Sequence, residues 1–278
     1  MRENIFPKPI GHYWDEKRFI MTEEYLLEIR QLKKVFPQGN SKIVAVSNIN
    51  FNISPGECLG LIGESGSGKS TAANMIAGLL DITEGEVIFD KKILPNKSCR
   101  KGFQLRKHMQ MVFQNPLSSF SPKMTLLYSI CEGLRYRRKM SRNDMVQKAY
   151  ETMEMVGLKR EYANRFCGEL SGGECQRAAI ARAIVNEPKL LICDEVTSAL
   201  DVSVQAQILR LLLRLKQELH LSYLFISHDI ALVSNISDRV AVMKEGNIVE
   251  EGTPDDIINY PKHPYTDLLI RSAQMKRK

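Results

Sequence analysis

The 278-residue chain lacks any apolar run approaching the roughly 18–20 residues that cross a bilayer as a helix. A membrane-spanning helix is therefore not expected, and any work at a membrane needs other subunits for the crossing. The first stretch, Met1 to Phe19, mixes acids and bases and has no apolar core. That excludes a secretory signal, and cytoplasmic residence is expected. The six cysteines (Cys58, Cys99, Cys131, Cys167, Cys175 and Cys193) include no C-x-x-C pair and do not cluster with histidine. This argues against structural zinc and against an iron–sulfur cluster. There is no long repeat, heptad array or low-complexity tract. No basic stripe is interleaved with aromatics, so nucleic acid is not an expected partner in spite of a net charge of +7.

What is present suits a globular protein. Hydrophobic residues make up 44% and charged residues 26%, enough for one large α/β domain or for a domain with a small subdomain. The positive charge reads first as solubility. A second reading places the runs Arg135 to Lys139 and Lys276 to Lys278 against anionic lipid or against membrane-embedded partners.

Residues 1–22 read as an irregular extension, with Met21 as a candidate natural start. Two strand-like runs follow within Tyr25 to Ile53, at Ile43–Val46 and Ile49–Ile53, on period-2 alternation. Pro55-Gly56 marks a turn. Cys58 to Ile62 reads as a buried strand, and a helix is expected from Lys69 to Leu80. Further strands are expected at Gly85–Phe89, Met109–Phe113, Leu190–Cys193, Tyr223–Ile226 and Val240–Met243. Cys58 and Cys193 lie in apolar strand patterns and are expected to be buried reduced thiols. Helical periodicity dominates Met124–Arg138 and Asp144–Val156, where Ser141 and Asp144 form a capping-box signature. Residues 117–169 thus read as a helical insert in a mostly parallel sheet. Thr253-Pro254 opens a late helix with an acid at Asp256.

The chemistry concentrates in a few segments. Gly63, Glu64, Ser65, Gly66, Ser67, Gly68, Lys69 and Ser70 match G-x-x-x-x-G-K-[ST], between a buried strand and a helix, and Thr71 follows. The glycines let the backbone approach phosphates closely, and the N–H groups at the helix start favour an anion. Lys69 would reach the β- and γ-phosphates of ATP, and Ser70 would ligate Mg²⁺. The strand Leu190–Cys193 runs into Asp194 and Glu195. Alone, this is a buried strand surfacing into polar residues. Paired with the phosphate loop, Asp194 becomes a Mg²⁺ ligand and Glu195 a general base for the attacking water. Leu170, Ser171, Gly172, Gly173 and Glu174 precede a helical pattern from Cys175 to Val185, a second anion-suited helix start.

Taken together, these motifs resemble those of ABC ATPases over residues of about 25–250. The resemblance implies a P-loop NTPase fold: a RecA-like core, an antiparallel β subdomain and an inserted α-helical subdomain. It implies an ABC ATP-binding domain over 23–252, with a short C-terminal extension over 253–278. It also implies that Ser171, Gly172 and Gly173 cap the γ-phosphate bound by an opposite subunit. Many members have Gln where this chain has Glu174, and Glu is an accepted variant. Gln114 resembles the glutamine that touches Mg²⁺ or water and senses the permease. Ser198 to Asp201 resembles the segment linking the two sites, and Asp201 also suits a helix cap. His228 resembles the histidine that contacts the γ-phosphate. Phe36 stands where the family places an aromatic against adenine; the other reading is a core aromatic.

A narrower resemblance, to the oligopeptide, dipeptide and nickel importer branch, rests on Gln114 to Ser119, Phe120 to Pro122 and His263 to Thr266. His263 alone reads better as a turn residue than as a metal ligand. The C-terminal region is shorter than in many members of that branch. The branch implies a second ABC ATPase subunit as partner, of paralogous type, two integral-membrane permease subunits and, indirectly, an extracytoplasmic substrate-binding protein. It implies a place at the cytoplasmic face of the membrane. The rival reading is a soluble ABC-type ATPase, but this chain has neither two such domains nor a long coiled-coil insertion. A kinase or GTPase is disfavoured, since no N-K-x-D motif is present.

Overall fold

The computed structural model describes residues 25–39, 41–96, 105–135 and 140–275. The N-terminal extension with Met21, Cys99, most of the basic run to Lys139 and the run Lys276–Lys278 lie outside the described residues.

Two sheets form the scaffold. The strands β1 (Leu27–Gln38), β2 (Ser41–Ile53), β4 (Glu84–Phe89) and β5 (Lys92–Ile93) pair antiparallel in the order β2-β1-β4-β5. The second sheet contains β3 (Cys58–Ile62), β6 (Met109–Val112), β7 (Leu190–Asp194), β8 (Ser222–Ile226), β9 (Arg239–Lys244) and β10 (Asn247–Gly252). Their spatial order is β10-β9-β3-β8-β7-β6, parallel throughout except for the β9–β10 hairpin.

The parallel strands β3, β7 and β8 are buried along their whole length, so they read as continuous apolar runs. Their alternation survives as a division of labour between faces. Leu191, Cys193, Tyr223, Phe225, Val240 and Val242 join the core beneath the helices. Their neighbours Leu190, Ile192, Leu224, Ile226, Ala241 and Met243 join the core shared with the antiparallel sheet. Cys58 and Cys193 are free, buried thiols, and burial pushes the Cys58 thiol up to about 12.

The helices are α1 (Lys69–Ala77), α2 (Leu126–Leu134), α3 (Arg142–Met155), α4 (Gly172–Ile184), α5 (Val202–Leu219), α6 (Ile230–Ile236), α7 (Pro254–Asn259) and α8 (Pro264–Met275). Their starts follow the capping chemistry. Ser141 with Asp144 and Thr253 with Asp256 form reciprocal capping boxes, and Asp201 accepts from the Val204 N–H. Between β6 and β7, α2, α3 and α4 pack on one another, and α4 also packs on β6. Among the described residues, no helix is long and apolar enough to cross a membrane.

The differences from the sequence reading have local causes. The helix expected to reach Leu80 stops at Ala77, because Gly78 adopts a left-handed conformation with φ 74° and caps it. The two runs Ile43–Val46 and Ile49–Ile53 belong to one strand. Its pairing with β1 shifts register between Leu32 and Lys34, and Asn48 between the runs has φ 56°. The irregularity breaks the alternation without breaking the strand. The C-terminal segment is two helices, of which only the first was expected from its cap.

Candidate active site

Strand order builds the site. β3, β8, β7 and β6 are adjacent and parallel, so their C-terminal ends line up along one edge of the sheet. The phosphate loop follows β3, His228 follows β8, Asp194 ends β7 with Glu195 next, and Gln114 follows β6. Crevices at the carboxyl edge of such sheets are where α/β folds bind ligands.

The loop from Gly63 to Gly68 opens α1 with no side-chain cap on that helix. Gly68 has φ 106°, and a Cβ there would lie 2.4 Å from the Ala45 carbonyl oxygen. Only glycine fits. Glu64, Ser65 and Gly66 are exposed, whereas Ser67 and Lys69 are buried at 5% exposure. Lys69 Nζ donates to the carbonyls of Gly63 at 2.8 Å and Glu64 at 2.7 Å, and to Ser67 Oγ at 3.3 Å. All three ammonium donors are thus committed within the loop. Burial lowers the Lys69 pKa, against the pull of Glu195 and Asp194. Thr71 lies in the first turn of α1.

Ser70 Oγ donates to Asp194 Oδ1 at 3.0 Å. Burial raises the Asp194 pKa, and the Ser70 bond opposes the rise. A hydroxyl beside a carboxylate is a hard oxygen donor set of the kind Mg²⁺ takes together with phosphate oxygens. Ser70, itself exposed, opens this pair toward the loop.

Glu195 holds a strained backbone, φ 49°, while its N–H still pairs with the Ile226 carbonyl at 3.0 Å. Its carboxylate meets Gln114 Nε2 at 2.7 Å on one oxygen and His228 Nδ1 at 3.3 Å on the other. Gln114 also donates to Ser198 Oγ at 3.3 Å, and that hydroxyl donates to the Glu195 carbonyl. Two groups, from the ends of β6 and β8, therefore converge on the carboxylate that follows β7.

The Leu170–Glu174 segment, called the signature segment below, lies elsewhere. Ser171 caps α4: it accepts from the Glu174 N–H, while Glu174 Oε2 accepts from the Ser171 N–H at 2.9 Å and from its hydroxyl at 2.7 Å. Gly173 packs on α5, where a Cβ would lie 2.8 Å from Val204 Cγ1. Ser171 and Gly172 are exposed, and among the described residues no hydrogen bond joins them to the phosphate loop. Phe36 is half-buried and joins neither hydrophobic core; the Lys34 ammonium lies 5.0 Å from its ring centroid. His263 is a turn residue, its Nδ1 accepting from the Tyr265 N–H. No cluster of three or more metal-ligating His, Cys, Asp or Glu side chains occurs among the described residues.

Two contacts to the phosphate loop escape a reading by segment. The β9–β10 turn donates from the Gly246 N–H to the Ser67 carbonyl at 2.9 Å. Tyr265 Oη accepts from the Glu64 N–H at 3.0 Å. The His263–Thr266 run was the available signal for Tyr265, but nothing in it names the loop as its target.

Known proteins resemble this chain in sequence and in fold. A family model described as ABC transporter matches residues 46–198, more than half of the chain. The oligopeptide transport ATP-binding protein OppF of Bacillus subtilis is 44% identical over 92% of this chain and 84% of its own length. AmiF of Streptococcus pneumoniae, of the same description, is 45% identical over 90% and 82%. Among solved structures, the dimeric ATP-binding cassette MJ0796 bound to ADP and Pi matches with a TM-score of 0.75 and 32% identity. That match covers 82% of this chain and 98% of the other. The structure of cbiO1 from Clostridium perfringens, part of the transporter complex cbiONQ, matches with a TM-score of 0.76 and 28% identity, over 92% of this chain and 100% of its own.

Proposed function

Since this chain belongs to the ABC transporter family and is an ATPase of it, we propose that it powers a membrane importer of oligopeptides. The cargo reading rests on one observation: identity to oligopeptide transport ATP-binding proteins that spans about nine-tenths of the chain. These relatives offer no support for nickel as cargo or for a soluble ATPase without a permease.

The site supports the following residue roles. The phosphate loop, Gly63 to Thr71, cradles the triphosphate, and Lys69 neutralises its β- and γ-phosphates. Ser70 and Asp194 hold Mg²⁺, with Gln114 within reach of the same edge. The cation, when bound, screens phosphate charge as it develops. Glu195 takes the proton of the attacking water at its carboxylate; Gln114 and His228 orient that carboxylate and the γ-phosphate. Phe36 stacks on adenine. Ser171, Gly172 and Gly173 serve the nucleotide of the opposite subunit. ATP thus holds two such subunits together, and hydrolysis lets them part.

The helical region carries the load toward the permease. Leu117, Tyr128 and Phe166 are exposed on it, and an antiparallel bridge pairs Thr125 with Phe166. Arg182 of α4 donates to the Ser119 carbonyl and lies over the Phe120 ring. The segment after Gln114 is thereby joined to the helix that begins at Ser171. The chain acts peripherally at the cytoplasmic face, bound to two permease subunits and a second ATPase subunit of paralogous type, with a substrate-binding protein beyond the membrane.

Affinity purification from solubilised native membranes tests this reading. The expected companions are two multi-span proteins and a second ATPase, and vesicles holding the complex should take up oligopeptide on ATP addition. Recovery of the chain alone from the soluble fraction would refute it.

A further inference from the structure

The Gly63–Glu64 peptide unit is held at both ends. Its carbonyl, on Gly63, accepts from Lys69 Nζ at 2.8 Å. Its N–H, on Glu64, donates to Tyr265 Oη at 3.0 Å. A peptide unit is planar and rigid, with C=O and N–H pointing in opposite directions. Anchoring the N–H therefore sets where the carbonyl points, and that carbonyl is one of three oxygens, with the Glu64 carbonyl and Ser67 Oγ, that hold the lysine ammonium.

The anchor is itself well fixed. Tyr265 is 6% exposed and lies at the start of α8. Its backbone N–H donates to His263 Nδ1 at 3.1 Å. The chain just before it is tied to β10, where the Glu250 carboxylate accepts from the N–H groups of Lys262 at 2.8 Å and His263 at 2.9 Å. The Lys244 ammonium lies 5.1 Å from the Tyr265 ring centroid, adding a cation–π contact from the end of β9. Burial pushes the Tyr265 phenol up, so the hydroxyl stays protonated and neutral at physiological pH. Phosphate loop, β9 and α8 meet at this one side chain.

We infer that Tyr265 is a positioning residue of the nucleotide site, acting through the Gly63–Glu64 peptide to hold Lys69 where the β- and γ-phosphates of ATP arrive. The C-terminal helix α8 is then part of the ATP-binding apparatus and not a packing appendage. This rests on the reading of Gly63–Thr71 as the ATP-phosphate loop.

The test compares the 278-residue chain with Tyr265→Phe, which keeps the ring and removes only the hydroxyl. Tyr260→Phe, at a residue 69% exposed, is the control. Losing one hydrogen bond of ordinary strength should raise both KM for ATP and the Kd of a fluorescent ATP analogue about fivefold. With Lys69, Glu195 and His228 intact, kcat should stay within about twofold, and the control should match the parent. In hydrogen exchange, the Glu64 amide should lose protection in Tyr265→Phe while amides paired within β3 and β8 keep theirs, which separates loss of the anchor from a general loss of stability. Unchanged KM and Kd, an equal loss in the control, or an unaltered Glu64 amide would each overturn the inference. Failure of the parent chain to bind the ATP analogue would instead overturn the ATP-site reading beneath it.

Discussion

The molecule contains two Ser/Gly-rich loops that each open a helix, and it treats them oppositely. The phosphate loop leaves the start of α1 without a side-chain cap and draws its support from distant chain: Asp194, Gly246 and Tyr265. The signature segment is self-sufficient, since Ser171 and Glu174 satisfy each other's backbone at the start of α4. A helix start with free N–H groups is ready for an anion from its own chain. One closed by a capping box stays stable without an anion, and it can offer its Ser171 hydroxyl only by giving up a bond to Glu174. The contrast matches a site whose one half binds nucleotide alone and whose other half serves a partner.

The comparison can be broken most forcefully at Glu195. Glu195→Gln should slow phosphate release by roughly 10²–10⁴-fold, the range for loss of a general base, with affinity for an ATP analogue within about twofold. Unchanged turnover would remove Glu195 from the base role. Next in size, Lys69→Ala should weaken ATP binding by the isolated chain by roughly 10–100-fold, since it deletes charge-assisted hydrogen bonds to phosphate. Ser171→Ala sharpens the contrast. It should leave the isolated chain's ATP affinity within about twofold, yet lower turnover of the assembled pair by roughly 5–10-fold. A large affinity loss in the isolated chain would mean that the two loops serve the same nucleotide. The smallest effect concerns acid. The Ser171 backbone N–H, followed by its hydroxyl, holds Glu174 below the ordinary carboxylate range. Glu174 therefore lends α4 stability that is fully present above pH about 4 and is lost as pH falls through its lowered folded value. Hydrogen exchange at acid pH should show the first turn of α4 opening while the start of α1, which has no such cap, is unaffected.

How legible the site was depended on whether each interaction is local. The loop from Gly63 to Ser70 is a contiguous pattern because the phosphate contacts come from consecutive backbone groups. The capping boxes at Ser141, Ser171 and Thr253 span only four residues and were open to the same kind of reading. Gln114, Glu195 and His228 carry no mutual signal in the chain; Glu195 was legible from its place at a strand end beside a phosphate loop, but only likeness to a known family marked Gln114 and His228. Phe36 divided between two readings because its alternation fits both, and its half-exposed ring lies outside either core. Strand β2 looked like two strands because a bulge shifts which face each side chain takes.

By itself, then, the sequence determined the local chemistry: which segments turn, which helices are capped, where a phosphate can rest, and that the sheet is mostly parallel and covered. Tertiary structure decided the pairings across distance. The order β3-β8-β7-β6 puts four loops on one edge, and only that order brings Gln114 and His228 to opposite oxygens of Glu195. It also brought Tyr265, about two hundred positions along the chain from Glu64, onto the phosphate loop. The reason is physical. Backbone pattern is written residue by residue in the chain, whereas a contact between strand ends exists only after the sheet has chosen its neighbours.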